Sequence, residues 1–275
     1  MCCLIGEFHL NRRGPSSRQA LRSEQCGPNY HGYVHLQRPV RLGRFCCSSG
    51  SMHLGSGFNG SSTKLTAGQT DPTEIVNKHN DLRRNVQPSA SNMLEISWSS
   101  EAAANAQRWA NTCSMKHSPD SSRKISTSGC GENLYMSSWE DTWSNAIQSW
   151  YNEIKNWRYG VGATNGGVVG HFTQLVWYRS NKVGCGMAYC SNSSYKYFYV
   201  CQYCPPGNYQ YARPYTSGPS CGDCPNACNN KLCTNACPYT DQYSNCADLK
   251  KQWGCTQSEV ASWCPASCKC SSEII

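Results

Sequence analysis

The segment CGDCPNACNNKLCTNAC, residues 221–237, places five cysteines within seventeen positions. Five more cysteines follow by residue 270, so ten cysteines fall within 50 residues. Such density is typical of disulfide frameworks in secreted proteins, because reducing compartments keep thiols free. The sequence therefore predicts an extracellular protein whose C-terminal part is held together by disulfides.

Six further cysteines lie upstream, between Cys113 and Cys204, and bring this set to sixteen, an even number. The other five of the 21 cysteines lie in the first 47 residues, and these are Cys2, Cys3, Cys26, Cys46 and Cys47. Each disulfide stabilises a fold by about 2–4 kcal/mol. We expect residues 113–270 to carry the framework and the five early cysteines to stand outside it.

The N-terminal 65 residues differ in composition from the rest of the chain. Residues 1–70 hold eight Lys or Arg against two Glu, whereas residues 71–275 hold seventeen against fifteen. The early segment has no sustained helical or strand period, which predicts a disordered basic tail and no nucleic-acid surface. It also lacks the apolar run of a signal peptide, so we expect residues 1–65 to be no part of the secreted form. No stretch of the sequence reaches the ~18–20 apolar residues that span a bilayer.

Three helices are predicted between residues 71 and 157. Asp71, Pro72 and Glu74 supply an N-cap, an N1 proline and a first-turn acid, and the apolar spacing carries this helix to about Val86. A second helix is predicted from residue 99 to about residue 111. The third is predicted to begin near residue 138, with an apolar stripe formed by Trp143, Ile147, Trp150, Ile154 and Trp157.

After the glycine-rich segment VGATNGG the apolar period changes to two. Three strands are therefore predicted, at HFTQLVWY (171–178), VGCGMAYC (183–190) and YKYFYVCQY (195–203). Three helices followed by three strands indicate an α+β layered domain that closes near residue 210. From residue 221 onward we expect a separate disulfide-stapled module, with short helices near residues 246–252 and 259–263.

One cysteine spacing suggests a different chemistry. Cys201, Cys204, Cys221 and Cys224 form a C-x2-C-x16-C-x2-C pattern, which matches a four-cysteine zinc ribbon. The first pair closes a predicted strand, however, and the second opens a new module. Twelve neighbouring cysteines would also stay unexplained, so we favour disulfides and keep the zinc ribbon as the alternative.

Two histidines and two glutamates are candidates for a polar site, and these are His117, Glu132, Glu153 and His171. No short metal motif links them, so each could equally be a hydrogen-bonded, partly buried residue. If they share one cleft, the imidazoles could hold a divalent cation while the carboxylates orient them or activate water. Ser118 beside His117 raises the possibility of a serine hydrolase, but the sequence contains no GxSxG elbow.

Two N-x-[ST] sequons are present, at Asn59 and Asn192. Asn192 lies in the segment CSNSSY, which we expect to form a turn between two strands. It is therefore the favoured glycosylation site.

Several motifs occur in a distinctive order: HNDLRR, KHSPDSS, GENLY, GHFTQLVWYRS and YVCQYCPPGNY. Together they resemble the CAP superfamily, and the sixteen cysteines with their C-terminal run resemble the cysteine-rich secretory proteins. The resemblance covers about residues 65–275. It implies a three-layer α-β-α sandwich CAP domain over residues 66–212, a disulfide-rich hinge over 213–236 and a small, mainly helical ion channel regulator domain over 237–275.

The resemblance also implies roles for single residues. His117 and His171 would be zinc ligands and Glu132 and Glu153 their supporting shell, with no cofactor required for the protein's action. The implied disulfides are Cys113–Cys190, Cys130–Cys204, Cys185–Cys201, Cys221–Cys228, Cys224–Cys233, Cys237–Cys270, Cys246–Cys264 and Cys255–Cys268.

The function implied by the resemblance is that of a secreted, non-enzymatic protein that binds an extracellular or membrane target. An ion channel or a cell-surface receptor would be such a target, in channel modulation or in sperm and reproductive-tract function. A rigid last module would present Lys250, Lys251, Trp253 and Trp263 with little loss of entropy on binding. Two alternatives from other classes stay open: a zinc-dependent hydrolase that uses the four polar residues, and a carrier of sterol or another lipid in a CAP-domain cleft.

Overall fold

The computed structural model of the protein describes residues 69–243 and 245–275. The predicted disordered segment over residues 1–65, its five cysteines and the sequon at Asn59 lie outside the described residues. Among the helices that are described, none combines the length and the apolar character needed to cross a membrane.

The described residues contain helices of two kinds. The α-helices are α1 Pro72–Arg84, α2 Ser100–Ala110, α3 Trp143–Tyr151, α4 Gly170–Leu175, α5 Cys246–Trp253, α6 Ser258–Trp263 and α7 Pro265–Lys269. Two 3-10 helices cover Asp120–Ser122 and Asn152–Asn156.

The strands are mostly short, and two of them reach eight residues. They are β1 Ser97–Trp98, β2 Lys124–Ile125, β3 Ser128–Gly129, β4 Gly131–Ser137, β5 Trp157–Arg158, β6 Gly162–Ala163, β7 Lys182–Tyr189, β8 Tyr197–Cys204, β9 Cys228–Asn229 and β10 Leu232–Cys233. The main sheet has the order β1-β7-β8-β4, in which β1 runs parallel to β7 and the other neighbours are antiparallel. The remaining strands pair locally as β2 with β3, β5 with β6 and β9 with β10.

Helix α2 covers one face of this sheet at short range. Two glycines of β7 permit the approach: a Cβ at Gly184 would clash with the backbone of Ala103, and one at Gly186 would lie 2.6 Å from the Gln107 Cα. Helices α1, α3 and α4 cover the opposite face, where the largest apolar core is buried. The α+β fold with three layers is therefore confirmed.

The first two helices follow their sequence signals. The Asp71 side chain accepts hydrogen bonds from the backbone N–H groups of Thr73 and Glu74, and the Ser99 side chain caps α2 in the same way. Helix α2 closely matches the prediction, whereas α1 ends at Arg84, two residues earlier than predicted.

The third helix is shorter than predicted because a tertiary contact holds the chain before it. The Asp141 backbone N–H donates to the Tyr199 hydroxyl at 2.8 Å, and that hydroxyl donates to the Asp141 carbonyl at 2.7 Å. Helix α3 then begins at Trp143, after the Thr142 side chain accepts a hydrogen bond from the Asn145 N–H. A 3-10 turn follows the helix, and Trp157 already belongs to β5.

The predicted strand over residues 171–178 is wrong, because Gly170–Leu175 form α4. Residues Phe172 to Trp177 are all buried, so no solvent-facing side remained to reveal the helical period. The reverse error concerns β4, whose strand Gly131–Ser137 the sequence analysis did not predict. The other two predicted strands match β7 and β8 within two residues.

The sixteen C-terminal cysteines form eight disulfides in the pairs that the resemblance implies. Cys185–Cys201 joins residues that face each other in β7 and β8. The zinc-ribbon alternative is overturned, because its four cysteines each bond to a cysteine outside the pattern. Those partners are Cys185, Cys130, Cys228 and Cys233.

The C-terminal part joins the sandwich through backbone contacts. The Cys233 N–H donates to the Met93 carbonyl at 2.7 Å, and the Glu95 N–H donates to the Cys233 carbonyl at 2.8 Å. Further on, α5 and α6 match the two short helices that were predicted, whereas α7 was not predicted.

Candidate functional site

One half of the candidate site is a hydrogen-bonded pair of His117 and Glu132. His117 lies in the loop after α2, and Glu132 lies on the edge strand β4 with a fully buried carboxylate. The His117 Nδ1 lies 2.9 Å from the Glu132 Oε1. Ser118 donates to the same carboxylate through its backbone N–H at 2.9 Å and its hydroxyl at 2.6 Å. The buried carboxylate thereby fixes the loop that carries the imidazole.

The charge state of Glu132 follows from these contacts. Burial is the strongest single influence and opposes ionisation. The hydrogen bonds from His117 and Ser118, together with the charge of Arg123, outweigh it, so the pKa of Glu132 lies below its ordinary value. Glu132 is therefore an anion at neutral pH and accepts hydrogen bonds only.

The other half of the site is the pair of His171 and Glu153. His171 lies in the first turn of α4, and Glu153 lies in the 3-10 turn after α3. The His171 Nδ1 lies 2.6 Å from the Glu153 Oε1, while Oε2 accepts the backbone N–H groups of His171 and Phe172. Glu153 thus orients the imidazole and caps the start of the helix that carries it.

The edge strand β4 contacts both halves of the candidate site. Consecutive strand residues point to opposite faces of a sheet, so Glu132 and Asn133 reach to the two sides of β4. Glu132 contacts His117, and the Asn133 amide donates to the His171 carbonyl at 3.0 Å. The four candidate residues therefore flank a single strand, although 54 residues separate His117 from His171.

Each imidazole keeps one ring nitrogen available. Both Nδ1 atoms are engaged by glutamates, and across residues 69–243 and 245–275 neither Nε2 has a hydrogen-bond partner. The side chain of His117 is 48% exposed and that of His171 is 29% exposed. A carboxylate on one nitrogen with the other left open is the usual arrangement of a metal-ligating histidine. Each of the two histidines therefore has the local arrangement of a metal ligand.

The geometry is unfavourable for a serine hydrolase at this position. Ser118 is buried, and its hydroxyl bonds to the Glu132 Oε2 rather than to an imidazole. A nucleophilic serine needs a base within hydrogen-bond reach that can take its proton. Here Glu132 lies between Ser118 and His117 and accepts from both.

A buried polar chain connects α1 to this site, and the sequence analysis did not identify it. The His79 Nδ1 lies 2.7 Å from the Ile75 carbonyl and therefore donates to it, so Nε2 accepts from the Tyr203 hydroxyl at 2.8 Å. The Asn133 amide reaches that hydroxyl at 3.4 Å as well as the His171 carbonyl. Burial lowers the pKa of His79 to about 4, so this imidazole is neutral.

Arg83 is a second buried polar group that sequence reasoning missed. Its guanidinium is fully buried and donates to backbone carbonyls of Leu94, Leu175, Trp177 and Tyr178. It thereby ties α1 to the end of α4. The sequence does carry a signal for its position, since HNDLRR places an arginine four residues after His79 on one helix face. This pattern does not, however, distinguish a buried arginine from an exposed one.

The sulfur atoms of Cys221, Cys224 and Cys233 lie within 4.8 Å of one another. Cys221 bonds to Cys228, and Cys224 bonds to Cys233. Metals bind the cysteine thiolate, which a disulfide does not offer. This cluster is therefore part of the disulfide framework and not a metal centre.

Two family sequence models match the chain. The model described as "Cysteine-rich secretory protein family" matches residues 76–203, and the one described as "Crisp" matches residues 221–275. The first contains all four residues of the candidate site, and the second contains the last ten cysteines.

Solved structures of similar proteins match the chain as well. A structure described as NaASP2 with Zn2+ is 30% identical, with a TM-score of 0.51, over 59% of this chain and 94% of that chain. Na-ASP-1 is 31% identical with a TM-score of 0.51, over 63% of this chain and 50% of that chain. The chain therefore belongs to the cysteine-rich secretory protein family.

Proposed function

We propose that the protein is secreted and acts without catalysis, by binding an extracellular or membrane protein such as an ion channel or a cell-surface receptor. Membership in the family suggests a secreted binding protein, and eight disulfides suit an oxidising compartment. We assign the binding surface to the module over residues 237–275. We also retain the predicted division into a sandwich over 66–212, a hinge over 213–236 and this module.

The observation that carries the proposal is the exposure of large aromatic side chains on a crosslinked frame. Trp253 at the end of α5 is 57% exposed and Trp263 at the end of α6 is 39% exposed. Tyr243 is 51% exposed and packs edge-on against Trp263. Cys246–Cys264 ties α5 to the end of α6. Aromatic side chains on a rigid frame lose little entropy on binding and often dominate the affinity of an interface.

The two lysines beside these aromatics differ in their surroundings. The Lys250 Nζ donates to the Ser267 carbonyl at 2.6 Å, so part of its role is to join α5 to α7. Lys251 is exposed and makes no hydrogen bond or ion pair with the described residues. We therefore assign the contact with a target to Lys251, Trp253 and Trp263.

Two exposed tryptophans provide a matched test of this surface. Trp253→Ala alters the module, whereas Trp139→Ala removes an equally exposed tryptophan (56%) from the sandwich. We expect wild-type protein to bind the surface of cultured cells and Trp253→Ala to weaken that binding by about tenfold or more. Trp139→Ala should bind as wild type does. Equal binding by both variants, or no surface binding by the wild type, would refute the assignment. Whole-cell current recordings on the same cells would then show whether the target is a channel.

We further propose that His117 and His171 bind zinc through their Nε2 atoms, with Glu132 and Glu153 as the supporting shell. The donor set supports this, and the similar protein NaASP2 has been described with Zn2+. Calorimetric titration with zinc should give one site in the wild type and none in His171→Ala.

The same variant separates binding from catalysis. A zinc-dependent hydrolase would turn over peptide or ester substrates, and would lose that activity in His171→Ala and on chelation. We expect no turnover above background in the zinc-loaded protein. Turnover that disappears in His171→Ala would establish the hydrolase instead. The sterol or lipid carrier stays a prediction, which mass spectrometry of an extract from the purified protein tests.

A further inference from the structure

A cleft lies where the sandwich meets the segment that leads into the hinge. It encloses about 520 Å³ and is lined by Tyr159, Tyr178, Tyr215, Arg213 and Asn92, among others. Ligand pockets typically enclose roughly 300–1,000 Å³. The cleft lies outside the His117–His171 site and outside the module over 237–275, so neither proposed function uses it.

One wall of the cleft is held in place from two sides. The Tyr159 hydroxyl donates to the Tyr215 carbonyl at 2.9 Å and accepts from the Ser217 N–H at 3.0 Å. From the other side, the Asn92 amide accepts from the Thr216 N–H at 2.9 Å and donates to the Thr216 hydroxyl at 3.1 Å. The segment over residues 215–217 is thus fixed, and a ligand would meet a preformed surface.

The aromatic lining has an unused polar group. The rings of Tyr159 and Tyr215 lie 5.4 Å apart at 40°, and together with Tyr178 they offer phenol faces and edges. Tyr215 is buried, and its hydroxyl has no hydrogen-bond partner among the described residues. A buried hydroxyl without a partner is uncommon and costs free energy until a partner or water satisfies it.

The stretch of chain that supplies most of the cleft lining is basic. Residues 154–222 contain no Asp or Glu but six Lys or Arg, and this stretch supplies all the lining residues named above except Asn92. Arg213 is exposed and makes no ion pair or hydrogen bond with residues 69–243 or 245–275. The nearest following acid, Asp223, accepts a hydrogen bond from the Ser91 hydroxyl at 2.8 Å and does not line the cleft. A free guanidinium in such surroundings favours an anion.

We propose that this cleft binds a small aromatic anion, whose ring packs against the three tyrosines and whose charged group pairs with Arg213. The bidentate fork of arginine suits a carboxylate, sulfate or phosphate group. Tight binding should require both halves of such a ligand. A neutral aromatic ring alone would leave Arg213 without an ion-pair partner, and an anion without a ring would leave the tyrosine rings exposed.

Phenyl phosphate tests the proposal in calorimetric titrations of the full chain, with inorganic phosphate and phenol as its two separated halves. We expect phenyl phosphate to bind at one site and each half to bind at least about tenfold more weakly. Absence of phenyl phosphate binding, or equal binding of inorganic phosphate, would overturn the proposal.

A matched pair of variants locates the site. Arg213→Gln removes the guanidinium from the cleft, and we expect phenyl phosphate binding to weaken by about tenfold or more, as for a lost charge-assisted hydrogen bond. Arg158→Gln removes an exposed arginine of the same acid-free stretch that does not line the cleft. This control should bind as wild type does. Equal weakening in both variants would show non-specific attraction by the basic surface and would overturn the proposal.

Discussion

The sandwich and the C-terminal module of this protein are stabilised by different means. In the sandwich, α1, α3 and α4 bury a large apolar core against one face of the sheet. In the described part of the module over residues 237–275, the buried apolar cluster consists of Cys246, Val260 and Cys264. Three disulfides cross that module, which has fewer than 40 residues. Chains of this size rarely fold on a core alone.

A disulfide therefore contributes to stability in a different way in each region. In the sandwich a disulfide supplements packing that already specifies the fold. In the module the crosslinks replace a core, which leaves large aromatic side chains such as Trp253 free to lie at the surface. We therefore expect the sandwich to depend most on its buried side chains and the module to depend most on its cysteines.

The largest effect should follow from Arg83→Met in the sandwich. This substitution leaves several buried carbonyls without a donor, and each such loss costs about 1–3 kcal/mol. We expect the free energy of unfolding to fall by at least about 4 kcal/mol, measured by denaturant titration. The control is Arg84→Met, because Arg84 pairs with the exposed Asp81 and makes one long hydrogen bond, to the Asn230 carbonyl at 3.4 Å, so its loss should cost only about 1 kcal/mol. Similar losses in both variants would contradict the role given to Arg83.

Two disulfides of similar loop length test the comparison directly. Cys185–Cys201 spans 16 residues in the sandwich and Cys246–Cys264 spans 18 in the module. The stabilisation that each disulfide gives by restricting the unfolded chain is therefore nearly equal, at about 3 kcal/mol. We expect replacement of Cys246 and Cys264 by serine to unfold the module, and replacement of Cys185 and Cys201 by alanine to leave the sandwich folded but less stable.

Amide hydrogen exchange measures this difference region by region. The Cys246/Cys264 variant should lose protection over residues 237–275 and keep it in β7 and β8. The Cys185/Cys201 variant should lower protection in β7 and β8 without abolishing it. If the module keeps its protection without Cys246–Cys264, its small core suffices and the contrast between the two regions is wrong.

A smaller loss of stability is expected when the pH is lowered, and it should occur in the sandwich. His79 is buried and neutral with a pKa of about 4, below the ordinary value of 6.5. Below pH 6.5 the unfolded state binds more protons at this residue than the folded state does, so stability falls as the pH drops towards 4. We expect a loss of about 2 kcal/mol between pH 7 and pH 5. Glu132 titrates below this range, since its pKa is lowered from an already acidic value.

His79→Gln should flatten this pH dependence, because glutamine does not titrate. Denaturant titrations of the wild type and the variant at several pH values measure the two slopes. The module contains no histidine, so its amide protection should change little over the same range. Equal slopes in the two proteins would show that His79 does not carry the effect.

Sequence reasoning was most successful where local chemistry sets the structure. Asp71 and Ser99 cap their helices as predicted, since an N-cap depends on residues within one turn. It failed for residues 170–175, which are buried by contacts from distant parts of the chain. The hydrogen-bond partners of Arg83 could not be predicted either, because they are backbone carbonyls, which carry no sequence signal.

The candidate site also combines features that the local sequence reveals with features that depend on distant contacts. The four residue types were recognisable, and the resemblance grouped them, but nothing in the spacing of His117 and His171 placed them beside one strand. That placement depends on β4 at the sheet edge, a strand that the sequence analysis did not predict. Predicting a site built from four separated segments therefore required the sheet order.

The smallest effect on stability concerns Asn192, the one sequon among the described residues, which lies in the sandwich at the exposed turn between β7 and β8. In a secretory host we expect a glycan on Asn192, seen as a mass that glycosidase removes and that Asn192→Gln lacks. Loss of the side chain should change stability by no more than about 0.5 kcal/mol, because the residue is exposed. A mass unaffected by the substitution would show that Asn192 is unmodified. The module carries no sequon, so a glycan would enlarge the surface of the sandwich and leave the aromatic surface around Trp253 uncovered.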